Sequence, residues 1–155
     1  MSSTLQHDSP SPLVRANHRR RALHEAMTRL EGAIARPVAS DDWLAEVDSG
    51  MKAVTNGLQA HIQEVEGPEG IIADIVDVAP RLSAAATELA NEHHGITAAM
   101  RRAETALEAA RRGGATEKTL LRRRVTTLLG RLTIHRQHGS DLVYDAYNID
   151  IEAGD

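Results

Sequence analysis

The sequence contains no cysteine and no phenylalanine. Without thiols there is no disulfide, no zinc–thiolate site and no cysteine nucleophile, so any metal must be held by histidine and carboxylate. Aromatic residues are limited to Trp43, Tyr144 and Tyr147, too few for the stacking platforms that bind single strands of nucleic acid. A basic excess is also missing. The net charge of −4 argues against a general nucleic-acid binder. No uninterrupted apolar run approaches the ~20 residues of a membrane span, and residues 1–10 lack the apolar core of a secretory signal, so a cytoplasmic protein with no membrane partner is expected. Gly67-Pro68-Glu69-Gly70 lacks the Gly and Lys pattern of a phosphate loop. No Ser–His–Asp arrangement or acid–base pair stands out, so a hydrolase is not supported.

What is present favours helix. Of the 155 residues, 41% are apolar, and Ala and Leu dominate. That mixture has high helix propensity and little of the β-branched and aromatic content of strands. Residues 1–10 read as a disordered tail. Ser11-Pro12 supplies an N-cap and a first-turn proline for helix one, which runs to about Arg36 before Pro37 and carries the stripe Leu23, Met27, Leu30 and Ile34. Ser40, Asp41 and Asp42 cap helix two, with the stripe Leu44, Val47, Met51, Val54, Leu58, Ile62 and Val65, up to Gly67-Pro68. Residues 71–78 suit a short helix across the bundle end. Pro80 opens helix three, which runs to Arg112 with Leu82, Leu89, Ile96, Met100 and Leu107 inward. Thr116 caps helix four, whose core face is Leu121, Val125, Leu128, Leu132 and Leu142. The expected fold is therefore all-α: an antiparallel up-down-up-down four-helix bundle over 11–146, with a short extra helix between helices two and three. Residues 147–155 are expected to form a non-helical arm. Its alternating apolar residues suit packing across a neighbouring subunit in a homodimer, or folding back on its own domain.

The eight histidines can be assigned to faces by steps of about 100°. His93 lies in the middle of the helix-three stripe, and His61 and His135 lie within the stripes of helices two and four. His24 sits at the margin of the helix-one stripe. His7 is in the tail, His18 points away, and His94 and His138 lie toward the flanks. A lone histidine on an apolar face is usually a hydrogen-bonded core residue. One on each of four helices changes the reading, because burying unpartnered imidazoles is costly and a shared ligand removes the cost. Imidazole suits iron, zinc, copper and nickel.

The segments His61-Ile-Gln-Glu-Val-Glu66, Leu89-Ala-Asn-Glu-His93 and Leu128-Leu-Gly-Arg-Leu-Thr-Ile-His135, with a histidine early in helix one, resemble the hemerythrin-like, HHE cation-binding family over residues 15–146. The resemblance implies a four-helix bundle holding a non-haem di-iron centre, with histidines from all four helices and two bridging carboxylates. It also implies a role in binding or sensing oxygen, peroxide, nitric oxide or iron. Carried over by position, the ligands are His61, His93 and His135, with His24 from helix one and His18 as its alternative.

The bridging carboxylates are displaced. Val65 and Gly139 stand four residues after His61 and His135, and neither binds metal through its side chain. Glu64 shares the face of His61, Glu66 reaches it where Gly67-Pro68 distorts the helix, and His138 is a substitute ligand on helix four. Three outcomes stay open: a rearranged dinuclear iron centre using Glu64 or Glu66, one iron or zinc on three or four histidines, or a metal-free interaction or regulatory module whose imidazoles bond to each other. The arginine runs at 19–21, 101–102, 111–112 and 122–124 read as solvated faces. Trp43 reads as a packing anchor.

Overall fold

The computed structural model describes residues 10–147, and these contain helices and no strand. Four long helices, α1 (Pro12–Ala35), α2 (Trp43–Glu66), α4 (Ser83–Arg112) and α5 (Ala115–Tyr147), correspond to helices one to four, and α3 (Ile71–Val78) is the short one. The tail expected over 1–10 lies outside the described residues except for Pro10. The arm expected over 147–155 does so except for Tyr147, which is the last residue of α5 rather than the start of a non-helical segment.

Most helix ends have a visible local cause. The Ser11 hydroxyl accepts the Val14 N–H at the start of α1, with Pro12 in the first turn. At its other end, Arg122 donates to the Ile34 and Arg36 carbonyls, groups that a helix C-terminus leaves unpaired. Two caps differ from expectation. Asp42 precedes α2 without a side-chain capping bond, because its carboxylate is held by Arg36 at 3.0 Å. Thr116 lies inside α5, and the Glu117 carboxylate accepts the Gly114 N–H instead. Pro80 opens a single 3-10 turn, Pro80–Leu82, and the α-helix proper starts at Ser83.

Cross-helix contacts run in opposite sequence directions. Along α1 and α2, Arg15 meets Glu64 and Arg29 meets Ser49. Along α1 and α5, Arg20 meets Ser140 while Ile34 meets Arg122. Asp48 meets Arg111, Thr55 meets Met100 and Glu66 meets His93 across α2 and α4. Gly50 lies against the Leu30 backbone, where an added Cβ would be 3.1 Å from Cα. Buried Ala99, Ala103, Ala106 and Ala110 give α4 a similarly narrow face.

The core has two clusters. The larger one joins Leu23, Leu30, Trp43, Val47, Met51, Val54, Ile96, Leu121, Val125, Leu128 and Leu132, among others. Each such buried side chain contributes about 1.5–3 kcal/mol through removal from water. The smaller one gathers Ala16, Val65, Ile71, Ile75, Leu89 and Leu142 beneath α3, which touches all four long helices. The turn into α3 doubles back on α2 so tightly that a Cβ at Gly70 would lie 2.2 Å from the Glu64 carbonyl oxygen. No described helix is long and apolar enough to cross a membrane.

Candidate metal centre

Three imidazoles occupy the boundary between the two clusters. His61 stands between Leu58 and Val65 on α2, His93 between Leu89 and Ile96 on α4, and His135 between Leu132 and Leu142 on α5. Their neighbours one turn away on at least one side are buried, and for His135 Leu142 lies two turns on, so helix geometry turns each ring inward. They are 6%, 3% and 3% exposed. The His61 and His93 Nε2 atoms lie 3.1 and 3.0 Å from the His135 Nε2. The rings meet edge to face, with centroids 4.7–5.4 Å apart, so they gather around the His135 Nε2 and do not stack.

Carboxylates fix which nitrogens point there. The His93 Nδ1–H donates to Glu66 at 2.6 Å, and the His135 Nδ1–H donates to Glu92 at 2.8 Å. A carboxylate only accepts, so both rings are Nδ1–H tautomers and both Nε2 atoms carry lone pairs. Two acceptors facing each other at 3.0 Å repel unless a cation lies between them. His61 can donate its own Nε2–H to His135, but that does nothing for the His93–His135 contact, and the buried His61 Nδ1 has no partner.

Burial disfavours a proton on His61 or His135 as that cation. Burial, then the neighbouring His135, His93 and Arg20, pulls His61 down to about 3. Burial also lowers His135, against the raising effect of Glu92. A metal ion fits better. With metal–nitrogen bonds of about 2.0–2.1 Å, ligand atoms are about 3.3–3.4 Å apart on a tetrahedron and about 2.8–3.0 Å apart on an octahedral face. The observed 3.0 and 3.1 Å lie between these values. All three ligand atoms fall within 4.8 Å of one another. Imidazoles backed by carboxylates are also the usual outer shell of metal-bound histidine.

The other sequence candidates are placed differently. His24 is exposed on α1 and does not reach the cluster, nor does the exposed His18. The inward stripe of α1 runs Ala16, Arg20, Leu23, Met27 and Leu30, so at this level it presents the half-buried Arg20, and the expectation of one inward histidine per long helix fails there. Glu64 pairs with Arg15 at 2.7 Å. Glu66 acts from behind His93, a reach allowed by its place at the last turn of α2. His138 is half-exposed and bonds through Nδ1 to the second oxygen of Glu92 at 2.5 Å. It is thus a neighbour of His135 through Glu92, outside the converging set. Glu92 itself was missed, since its partners lie on another helix. Burial works against its ionisation, yet the bonds from His135 and His138 hold its carboxyl below the usual range.

Val65 and Gly139 line an apolar cavity of about 30 Å³ beside His61 and His135, together with Ala16, Ile75, Leu89 and Leu142. That is room for roughly two water-sized molecules. Comparison with family models, with characterised proteins and with solved structures gives no match.

Proposed function

We propose that this chain is a hemerythrin-like metal-binding bundle that holds one divalent ion on the Nε2 atoms of His61, His93 and His135. The observation that carries the reading is the 3.0 Å approach of two imidazole lone pairs, each turned inward by a carboxylate on the opposite nitrogen. The opposed contact directions of neighbouring helices support the antiparallel up-down-up-down arrangement. Charge favours one ion over a di-iron pair. Glu66 and Glu92 offset two positive charges, and with Glu64 held by Arg15 no carboxylate bridges a second metal. Iron(II) and zinc both suit three imidazoles. Either would act as a Lewis acid, and iron would also exchange electrons.

The chain's own residues do the rest. Glu66 and Glu92 hold the ring tautomers, and the two apolar clusters exclude bulk water. The cavity at Val65 and Gly139 receives a small ligand, which makes oxygen, nitric oxide or peroxide binding or sensing the function. A cytoplasmic location is part of the same reading. Elemental analysis and an ultraviolet–visible spectrum of the full chain, after loading with iron(II) or zinc, test it. One ion per chain is expected, lost in His93→Ala. A wild-type chain that stays metal-free after loading overturns it.

The second reading is a metal-free helical interaction module. The His61–His135 contact favours it, since a neutral His61 can donate to His135 without any metal. It predicts that apolar replacements at His61 and His93 stabilise the bundle.

A further inference from the structure

The three inward rings are not held equally from behind. His61 has no partner on its Nδ1. His93 has Glu66, which accepts through one oxygen at 2.6 Å. Among the described residues the other oxygen of Glu66 has no hydrogen-bond partner, and its side chain is 41% exposed. His135 has Glu92, and here both oxygens are engaged. Oε2 accepts the His135 Nδ1–H at 2.8 Å, and Oε1 accepts the His138 Nδ1–H at 2.5 Å. His138 is the donor because a carboxylate only accepts. The exposed rings of His18, His24 and His94 make no side-chain hydrogen bond among the described residues, so His138 is the exposed histidine whose bond leads inward.

His135 and His138 stand three residues apart on α5, neighbours on one face of the helix, and Glu92 reaches them from α4. The two rings therefore straddle one carboxylate. The last torsion of a glutamate is broad and roughly two-fold, so a single hydrogen bond leaves the group free to turn and to exchange its oxygens. Donors on both oxygens fix its plane. The ring fixed in this way is the one whose Nε2 meets both others, at 3.1 Å from His61 and 3.0 Å from His93. We infer that His138 is a positioning residue for His135: by occupying Glu92 Oε1 it keeps Oε2 on the His135 Nδ1–H, and so fixes the tautomer and direction of the ring around which the other two gather. The centre then has one fixed imidazole and two adaptable ones. The consequence for metal affinity rests on the metal reading, whereas the consequence for the His135 ring does not.

The test compares wild type, H138A and H138N in the full chain, each checked for folding by circular dichroism. Asparagine carries an amide N–H near the place of Nδ1 and so keeps a donor there. In the metal-free protein, proton–nitrogen NMR should show the His135 Nδ1–H as a slowly exchanging resonance in wild type and H138N, and should lose it in H138A. With zinc, H138A should bind about tenfold more weakly, the low end of the range for groups behind a ligand. With cobalt(II), its visible bands should shift, and H138N should restore both affinity and spectrum. In an E92Q background H138A should add no further loss, because its effect passes through Glu92. H138D, which sets a second carboxylate against Glu92, covers a misfolded H138A and should also lose the resonance. A His135 resonance that survives in the folded H138A or H138D overturns the inference, as does an affinity loss of H138A that persists in full over E92Q. If wild type binds neither zinc nor cobalt(II) but H138A still loses the resonance, the metal reading falls and the positioning role stands. If metal binds and neither readout responds to H138A, the positioning role falls alone.

Discussion

The two ends of the bundle solve different problems with the same helices. Around Trp43 the core is filled by Leu, Val, Met and Ala from all four long helices, and its buried groups are almost all apolar. Beneath α3 the apolar cluster is smaller, a cavity remains, and three imidazoles are buried beside it. Buried polar groups need partners to be tolerated, so the first end is built for stability and the second is stable only when its partners are in place. The histidines lie where the two meet, held on one side by Leu58, Ile96 and Leu132 and on the other by Val65, Leu89 and Leu142.

The sharpest way to break this comparison is to damage each end separately. His135→Ala removes the ring that touches both others, so metal affinity should fall by more than the ~10–100-fold typical of outer-shell changes. The unfolding midpoint of the metal-free protein should change far less. Leu128→Ala at the filled end should cost about 2–5 kcal/mol while leaving metal affinity per folded chain unchanged. Chelator competition and denaturant unfolding measure the two quantities. If Leu128→Ala weakens metal binding as much as His135→Ala does, the ends are not separable.

Between pH 7 and 5 acid should act mainly on the histidine end, with the lowered Glu92 and Glu117 carboxyls adding to the loss below that range. With His61 lowered to about 3 from an ordinary 6.5, the unfolded chain takes up a proton as pH falls through 6.5 and the folded chain does not until about 3. Stability is therefore full above pH 6.5 and lost progressively down to about 3, at about 1.4 kcal/mol per pH unit for this group in the metal-free protein. His135, also lowered, adds in the same direction. Denaturant midpoints measured at pH 7, 6.5, 6, 5.5 and 5, above the carboxylate range, check the slope. The slope should vanish in a His61→Leu, His135→Leu double variant, and a slope that survives there moves the acid sensitivity elsewhere.

A smaller effect is expected from the carboxylates behind the rings. Glu92→Gln keeps the size but loses the charge that fixes the His135 tautomer, and should weaken metal binding about 10–100-fold. Glu64→Gln, by contrast, disturbs only the partly exposed Arg15 pair, at a cost near 0–1 kcal/mol and with no change in metal affinity. Equal losses in the two variants would return Glu64 to the ligand set.

Much of this was legible in the helical repeat. His61, His93 and His135 each have buried residues three or four positions away, and a periodic stripe reports that directly. What could not be read lay between helices. The Glu92 link to His135 and His138 crosses from α4 to α5, and a wheel drawn for one helix contains no such information. The cavity follows from the small side at Gly139 and the position of α3. On helix one the signal was present and was overruled by residue type. Ala16 and Arg20 extend the stripe of Leu23, Met27 and Leu30, but Arg20 stands in a run of three arginines and so was assigned to solvent.

His24→Ala is the smallest change and the one that tests this last point. On α1 the buried positions are Ala16, Leu23, Met27, Leu30 and Ala33, and His24 follows Leu23 by one step, about 100° around the axis. Its ring is exposed, so removal strips no buried area and leaves no cavity. Stability should stay within about 0.5 kcal/mol of wild type, and zinc stoichiometry and affinity should be unchanged. A drop in metal affinity in His24→Ala would require α1 to rotate by roughly one residue. That rotation would also take Arg20 off the cavity wall.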